Sequence, residues 1–178
     1  MDAFAELGLP RSPLVDEAEL ERRFDALSRQ HHPDVGGDPI AFARLGEARR
    51  LLVTPAPRLR HLLELVYPGT PLAGELPPTL VDHFAILGPT LQVAQQFIRK
   101  KETAASALAR ALLASEEMRH RETLESAAAT LANSLAAVLD ATRSWDGHAE
   151  SLTAWARQAA FLERWQAQVR ESLVRLSL

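Results

Sequence analysis

No cysteine occurs among the 178 residues of the chain. Disulfides, thiolate nucleophiles and cysteine-ligated zinc or iron–sulfur clusters are thereby excluded, and a reducing, cytoplasmic setting is expected. Positive charge is not in excess either. The formal net charge of −3 gives no bulk attraction to nucleic acid or to an anionic membrane surface. No stretch approaches the ~20 consecutive apolar residues of a membrane span, and the opening MDAFAELGLP is too short in its apolar run for a signal peptide. Aromatic residues are scarce at 6%, and few segments alternate with period two. Ala and Leu dominate instead, with 47% hydrophobic and 24% charged residues, enough to build a core for one or two domains. The chain reads as all-α.

Proline and glycine divide it unevenly. YPGTPLAGELPP (67 to 78) carries four prolines and two glycines, so it is read as a linker between residues 1–66 and 79–178. Before it, four short helices are predicted. Residues 2 to 7 form a brief one. Asp16 and Glu19 make an N-cap and capping-box pair, opening a helix to about His31 with Leu20, Phe24 and Leu27 on its apolar stripe. Arg22, Arg23 and Arg29 lie off that stripe, facing solvent or a partner, while His31 falls within about 20° of Leu20 on the wheel, a core-facing position. Pro33 stops this helix. The next, 39 to 53, starts at Pro39 and buries Phe42, Leu45, Ala48 and Leu52; the last, 57 to 66, carries Leu59, Leu62, Leu63 and Val66. After the linker, a short helix at 79 to 87 is expected to break at Gly88–Pro89. Long helices at about 89–113, 115–145 and 148–177 would follow as a three-helix bundle.

The segment SRQHHPDVGGD (28 to 38) carries the chemistry. As a metal site it is poor: His31 and His32 are neighbours and cannot chelate one ion together, and the remaining histidines show no His-x3-His spacing. As a catalytic dyad, His32 and Asp34 lack a phosphate-binding glycine loop, a nucleophile elbow and a substrate pocket. A helix stop with Asp34 capping a turn is the plain structural alternative. The remaining reading is a helical hairpin that presents His32, Pro33 and Asp34 at its tip beside the arginines.

With those residues in place, LERRFDALSRQHHPDVGGD followed by FARLGEARRLLVTPAPRLRHLLEL resembles a J-domain, the module by which J-proteins engage Hsp70 chaperones. RLRHLLEL after Pro57, and the layout of J-domain, short linker and C-terminal helical domain, are most similar to the HscB family of iron–sulfur co-chaperones. AWARQAAFLERWQAQVRESL resembles that family's last helix. The chain departs from the family pattern in having Val35 where lysine is frequent after the triplet, Gly46 for a common asparagine and Arg49 for an aromatic. LQVAQQFIRKK is basic where an acidic stretch is usual.

The resemblance implies an L-shaped, two-domain, all-α protein that is not an enzyme, binds no cofactor or metal, and works in the cytoplasm. It implies that His32, Pro33, Asp34, Arg22, Arg23 and Arg29 bind an Hsp70-family chaperone of the HscA or DnaK kind and stimulate its ATPase. The 79–178 domain would hold an iron–sulfur scaffold or other client through Leu91, Val93 and Phe161. Neither nucleic acid nor membrane is implied as a partner. A J-protein with a different client, and a helical adaptor without ATPase-stimulating activity, are the alternatives.

Overall fold

A computed structural model describes residues 1 to 75 and 77 to 177, with the side chains of Thr79 and Arg110 left aside. Among the described residues there are α-helices and short 3-10 turns, and no strand. The all-α expectation holds. In chain order the helices are α1 (Ala3–Glu6), α2 (Glu17–His31), α3 (Pro39–Val53), α4 (Pro55–Val66), α5 (Pro78–Glu102), α6 (Ala107–Ala141) and α7 (Ala149–Ser177). They assemble as two compact units. Met1–Gly74 with Ala137–Ala160 make one, and Glu75–Ala136 with Phe161–Leu178 the other.

In the first unit α3 packs against α1, α2 and α4. Phe4, Leu7, Leu20, Leu52, Leu59, Leu62 and Leu63 are its largest fully buried side chains from the N-terminal stretch. Each contributes on the order of 1.5–3 kcal/mol by leaving water. Asp16 caps α2 by accepting the Glu19 N–H at 3.0 Å, and Asp38 caps α3 by accepting from Ile40 at 2.9 Å. Only half of the expected capping box forms, because the Glu19 carboxylate is taken by Arg22 and Arg23. Phe42 and His31, expected in the core, are half-buried, and Val66 is exposed at the end of α4.

Two polar residues of α4 are buried where the apolar pattern gave no sign of them. Arg58 donates to the carbonyls of Pro13 at 3.0 Å and Leu52 at 2.7 Å. It thereby stitches the loop before α2 to the end of α3. His61 accepts the Ala3 N–H at 3.0 Å and stacks on Phe4, ring centroids 6.0 Å apart. Such groups are tolerated inside because their hydrogen bonds are made. The stretch after α4 is also held: Tyr67 donates its hydroxyl to the Gly147 carbonyl, and Arg157 donates to that of Gly74.

The second unit corrects the predicted boundaries. Gly88–Pro89 does not end a helix; α5 runs through it from Pro78 to Glu102. Glycine before the proline removes the Cβ that normally drives the preceding residue out of helical geometry, so the helix continues although Pro89 has no N–H to offer the Ala85 carbonyl. The break falls instead at 103–106, well before Leu113. Thr103 closes α5, and the Ser106 hydroxyl accepts the Ala109 N–H at 3.1 Å at the start of α6. Leu80, Leu87, Leu91, Ala94, Phe97 and Ile98 of α5 are buried, as are Leu124 and Leu131 of α6 and Leu162, Val169 and Leu176 of α7.

Candidate functional site

The tip of the α2–α3 hairpin is a tight, backbone-bonded turn. After His31 the chain leaves the helix at His32 (φ −64°, ψ 131°), the extended geometry required before proline. Pro33–Val35 then form one 3-10 turn. Val35 N–H and Gly37 N–H both donate to the His32 carbonyl at 3.1 Å, and Gly36 N–H donates to Pro33 at 3.0 Å. Gly36 sits at φ +78°, a left-handed conformation that other residues adopt only with strain. At Gly37 a Cβ would lie 2.6 Å from His31 Cα and closer still to its carbonyl, so only glycine lets the loop fold back against the end of α2.

His32 is held on two sides. Its Nδ1 accepts the Asp34 N–H at 3.2 Å and lies 3.5 Å from the Asp34 carboxylate. Its ring meets Phe42 edge-on, centroids 5.1 Å apart at 76°. An Nδ1 that accepts leaves the neutral ring's proton on Nε2, where it can serve an acceptor outside the molecule. Pro33 is exposed and the Asp34 side chain is 86% exposed. The triplet therefore combines a fixed backbone with a carboxylate and an imidazole N–H open to a partner. Sequence periodicity assigned Phe42 to the core; its half-buried place beneath His32 makes it a supporting residue of the tip.

The three arginines expected beside the tip are all exposed but not equivalent. Arg22 and Arg23 both bond the Glu19 carboxylate, and Arg23 also donates to the Gly8 carbonyl at 2.7 Å. Those hydrogen bonds, from Arg22 first and then Arg23, hold the Glu19 carboxyl below its ordinary range. Arg29 has no such partner among the described residues. The same economy extends across the hairpin: Arg44 pairs with Glu6, and Arg50 with Glu47. Arg49 bonds Glu21 at 2.8 Å and lies 5.2 Å over the Phe24 ring, a cation–π contact between α3 and α2.

In the second unit Val93 stands apart from Leu91 and Phe161. Leu91 is buried in the seam between α5 and α7, near Trp165 and Gln168. Val93 is half exposed and lines a groove of about 500 Å³ between α5 and α6, with Pro89, Ala94, His120 and Leu124. Phe161 contacts Phe84, which in turn meets Trp165 edge-on at 5.0 Å. Of the basic run, Lys100 pairs with Glu116 at 2.7 Å and Lys101 with Glu117 at 2.9 Å, so two of its cations are neutralised by α6. Among the described residues no three histidine, aspartate or glutamate side chains are grouped to hold a metal ion. None of their helices is long and apolar enough to cross a membrane.

The fold has a solved counterpart. The chaperone HscB from Vibrio cholerae superposes with a TM-score of 0.64 and 20% sequence identity, over 99% of this chain and 99% of that one. The fold is HscB-like. No protein-family profile and no curated protein matches the sequence. An HscB-like fold is all-α and two-domain, as the resemblance implied.

Proposed function

We propose that the chain is a co-chaperone that binds an Hsp70-family ATPase of the HscA or DnaK kind through His32, Pro33 and Asp34 and accelerates its ATP hydrolysis. The observation that carries this reading is the rigid, solvent-facing tip on an HscB-like fold. Stimulation requires the tip to bind the partner's hydrolysis-competent conformation more tightly than its others, which is a matter of differential affinity and needs no chemistry from the chain itself. Asp34 supplies a largely exposed carboxylate for charge-assisted hydrogen bonds, and His32 a donor at Nε2. Arg29 is the arginine ready to dock, whereas Arg22 has to exchange Glu19 for an acidic group on the partner.

The second unit is read as the client-holding module, with an iron–sulfur scaffold protein as the client. Exposed Val81, Phe84, Ile86 and Val93 on α5 give it apolar surface for that role. A different client is favoured by the α5 end, where an exposed Arg99 opens a basic run rather than an acidic one. A pull-down with a purified scaffold protein separates the two. For the primary reading, Asp34→Asn should keep the wild-type melting curve and lose ATPase stimulation in a single-turnover assay. Stimulation equal to wild type would overturn it.

A further inference from the structure

Beside the triplet stand two apolar side chains with no intramolecular reason to be where they are. Val35 ends the 3-10 turn with 70% of its surface exposed, and Ile40, in the first turn of α3, is 71% exposed. The two are joined by the Gly36–Gly37 bend, whose geometry is locked against the backbone of His31. Val35 stands on the backbone-bonded turn that displays Asp34, and Ile40 on the first turn of the helix that follows it. Exposed ion pairs such as that of Arg44, one turn beyond Ile40, with Glu6 add little affinity when exchanged for pairs with a partner. Removal of apolar area from water is a source of affinity at the tip that such charges do not supply.

Resting on the co-chaperone reading, we infer that Val35 and Ile40 select the Hsp70 partner by seating against an apolar spot next to the place where Asp34 docks. The occupant of this patch is the ATPase itself, because any partner that reaches Asp34 on this turn also meets Val35, the next residue. A cationic side chain at 35 would call for an acidic spot on the partner; valine calls for an apolar one.

The test titrates the full chain against purified HscA-type and DnaK-type Hsp70 proteins and reads the concentration for half-maximal ATPase stimulation. With the Hsp70 that wild type stimulates, Val35→Ser/Ile40→Ser is expected to raise that concentration on the order of tenfold while leaving maximal stimulation and the melting curve unchanged. Val35→Lys should weaken the coupling as well. An unchanged half-maximal concentration for the double variant, or tighter coupling for Val35→Lys, overturns the inference. So does a change in sedimentation behaviour with the half-maximal concentration unmoved, which would assign the pair to self-association. Asp34→Asn is the zero-stimulation reference. If it abolishes stimulation while the serine variant matches wild type, only this inference falls; if wild type stimulates neither Hsp70, the co-chaperone reading falls and takes this inference with it.

Discussion

The ring of Phe42 meets the imidazole of His32 edge-on, with 5.1 Å between centroids. One residue belongs to α3 and the other to the turn after α2, so the contact ties the presenting loop to the helix that follows it. The positive edge of one ring against the face of another is a favoured aromatic arrangement and orients as well as attracts.

Phe42→Ala should therefore impair function more than folding. Its half-buried side chain predicts a loss of about 1–2 kcal/mol in urea unfolding, against about 2–5 kcal/mol for Leu45→Ala in the core. ATPase stimulation should fall several-fold at saturating concentration. A variant that loses stability but stimulates like wild type would show that His32 is placed by its backbone alone.

Gly37→Ala places a methyl group into the backbone of His31, while Gly36→Ala only imposes a left-handed conformation on alanine. The second should cost about 1 kcal/mol and keep activity. The first should displace the turn and reduce stimulation at a similar or larger stability cost. Chemical denaturation combined with the ATPase assay distinguishes them.

Much of this hairpin was legible in the sequence because its signals are local. Asp16, Pro33 and Pro39 act within a few residues of where they stand, and the structure has α2 and α3 ending within a residue or so of the expected places. The errors came where a local signal was weaker or stronger than it looked. Gly88–Pro89 reads as a break, yet the glycine is what permits the proline to stay in α5. Ser106, an ordinary N-cap, opens α6 inside the stretch expected to belong to the preceding helix. Arg58, His61 and the bond from Arg23 to Gly8 were invisible for another reason. Their partners are backbone groups of Pro13, Leu52, Ala3 and Gly8, and only the folded chain brings them together.

Glu19→Gln should release Arg22 from its intramolecular partner. Coupling to an Hsp70 with an acidic docking surface is expected to tighten and to become more sensitive to added salt. The slope of half-maximal concentration against ionic strength checks this; an unchanged slope would mean that Arg22 takes no part in docking.

His61 makes stability depend on pH. Burial is the main cause that pushes its imidazole below the usual value of 6.5; Met1's amino group and Arg11 act in the same direction, and Asp2 and Glu64 oppose them. The unfolded chain thus takes up a proton at a higher pH than the folded chain. The stabilisation is complete above about pH 7 and declines as the pH falls through the unfolded value. Thermal melts between about pH 7 and 5 should show a fall in Tm that His61→Gln flattens, in addition to a loss of stability from the weakened bond to Ala3.

A double-mutant cycle at α5 probes the helix that survived its proline. With Pro89 present, Gly88→Ala introduces a Cβ against the ring and should destabilise. After Pro89→Ala, which restores a donor for the Ala85 carbonyl, the same change should stabilise by about 1 kcal/mol, since the space around Gly88 is open. Additive effects would show that the glycine is not there for the proline.

The first compact unit is not contiguous: it draws on Met1–Gly74 and on Ala137–Ala160, fastened through Tyr67 with Gly147 and Arg157 with Gly74. On the ribosome, the early segment must wait while the intervening residues are translated, on the order of ten seconds at typical elongation rates. During that interval the nascent chain exposes an unfinished face, and a protease site placed between residues 67 and 74 would be cut most readily then.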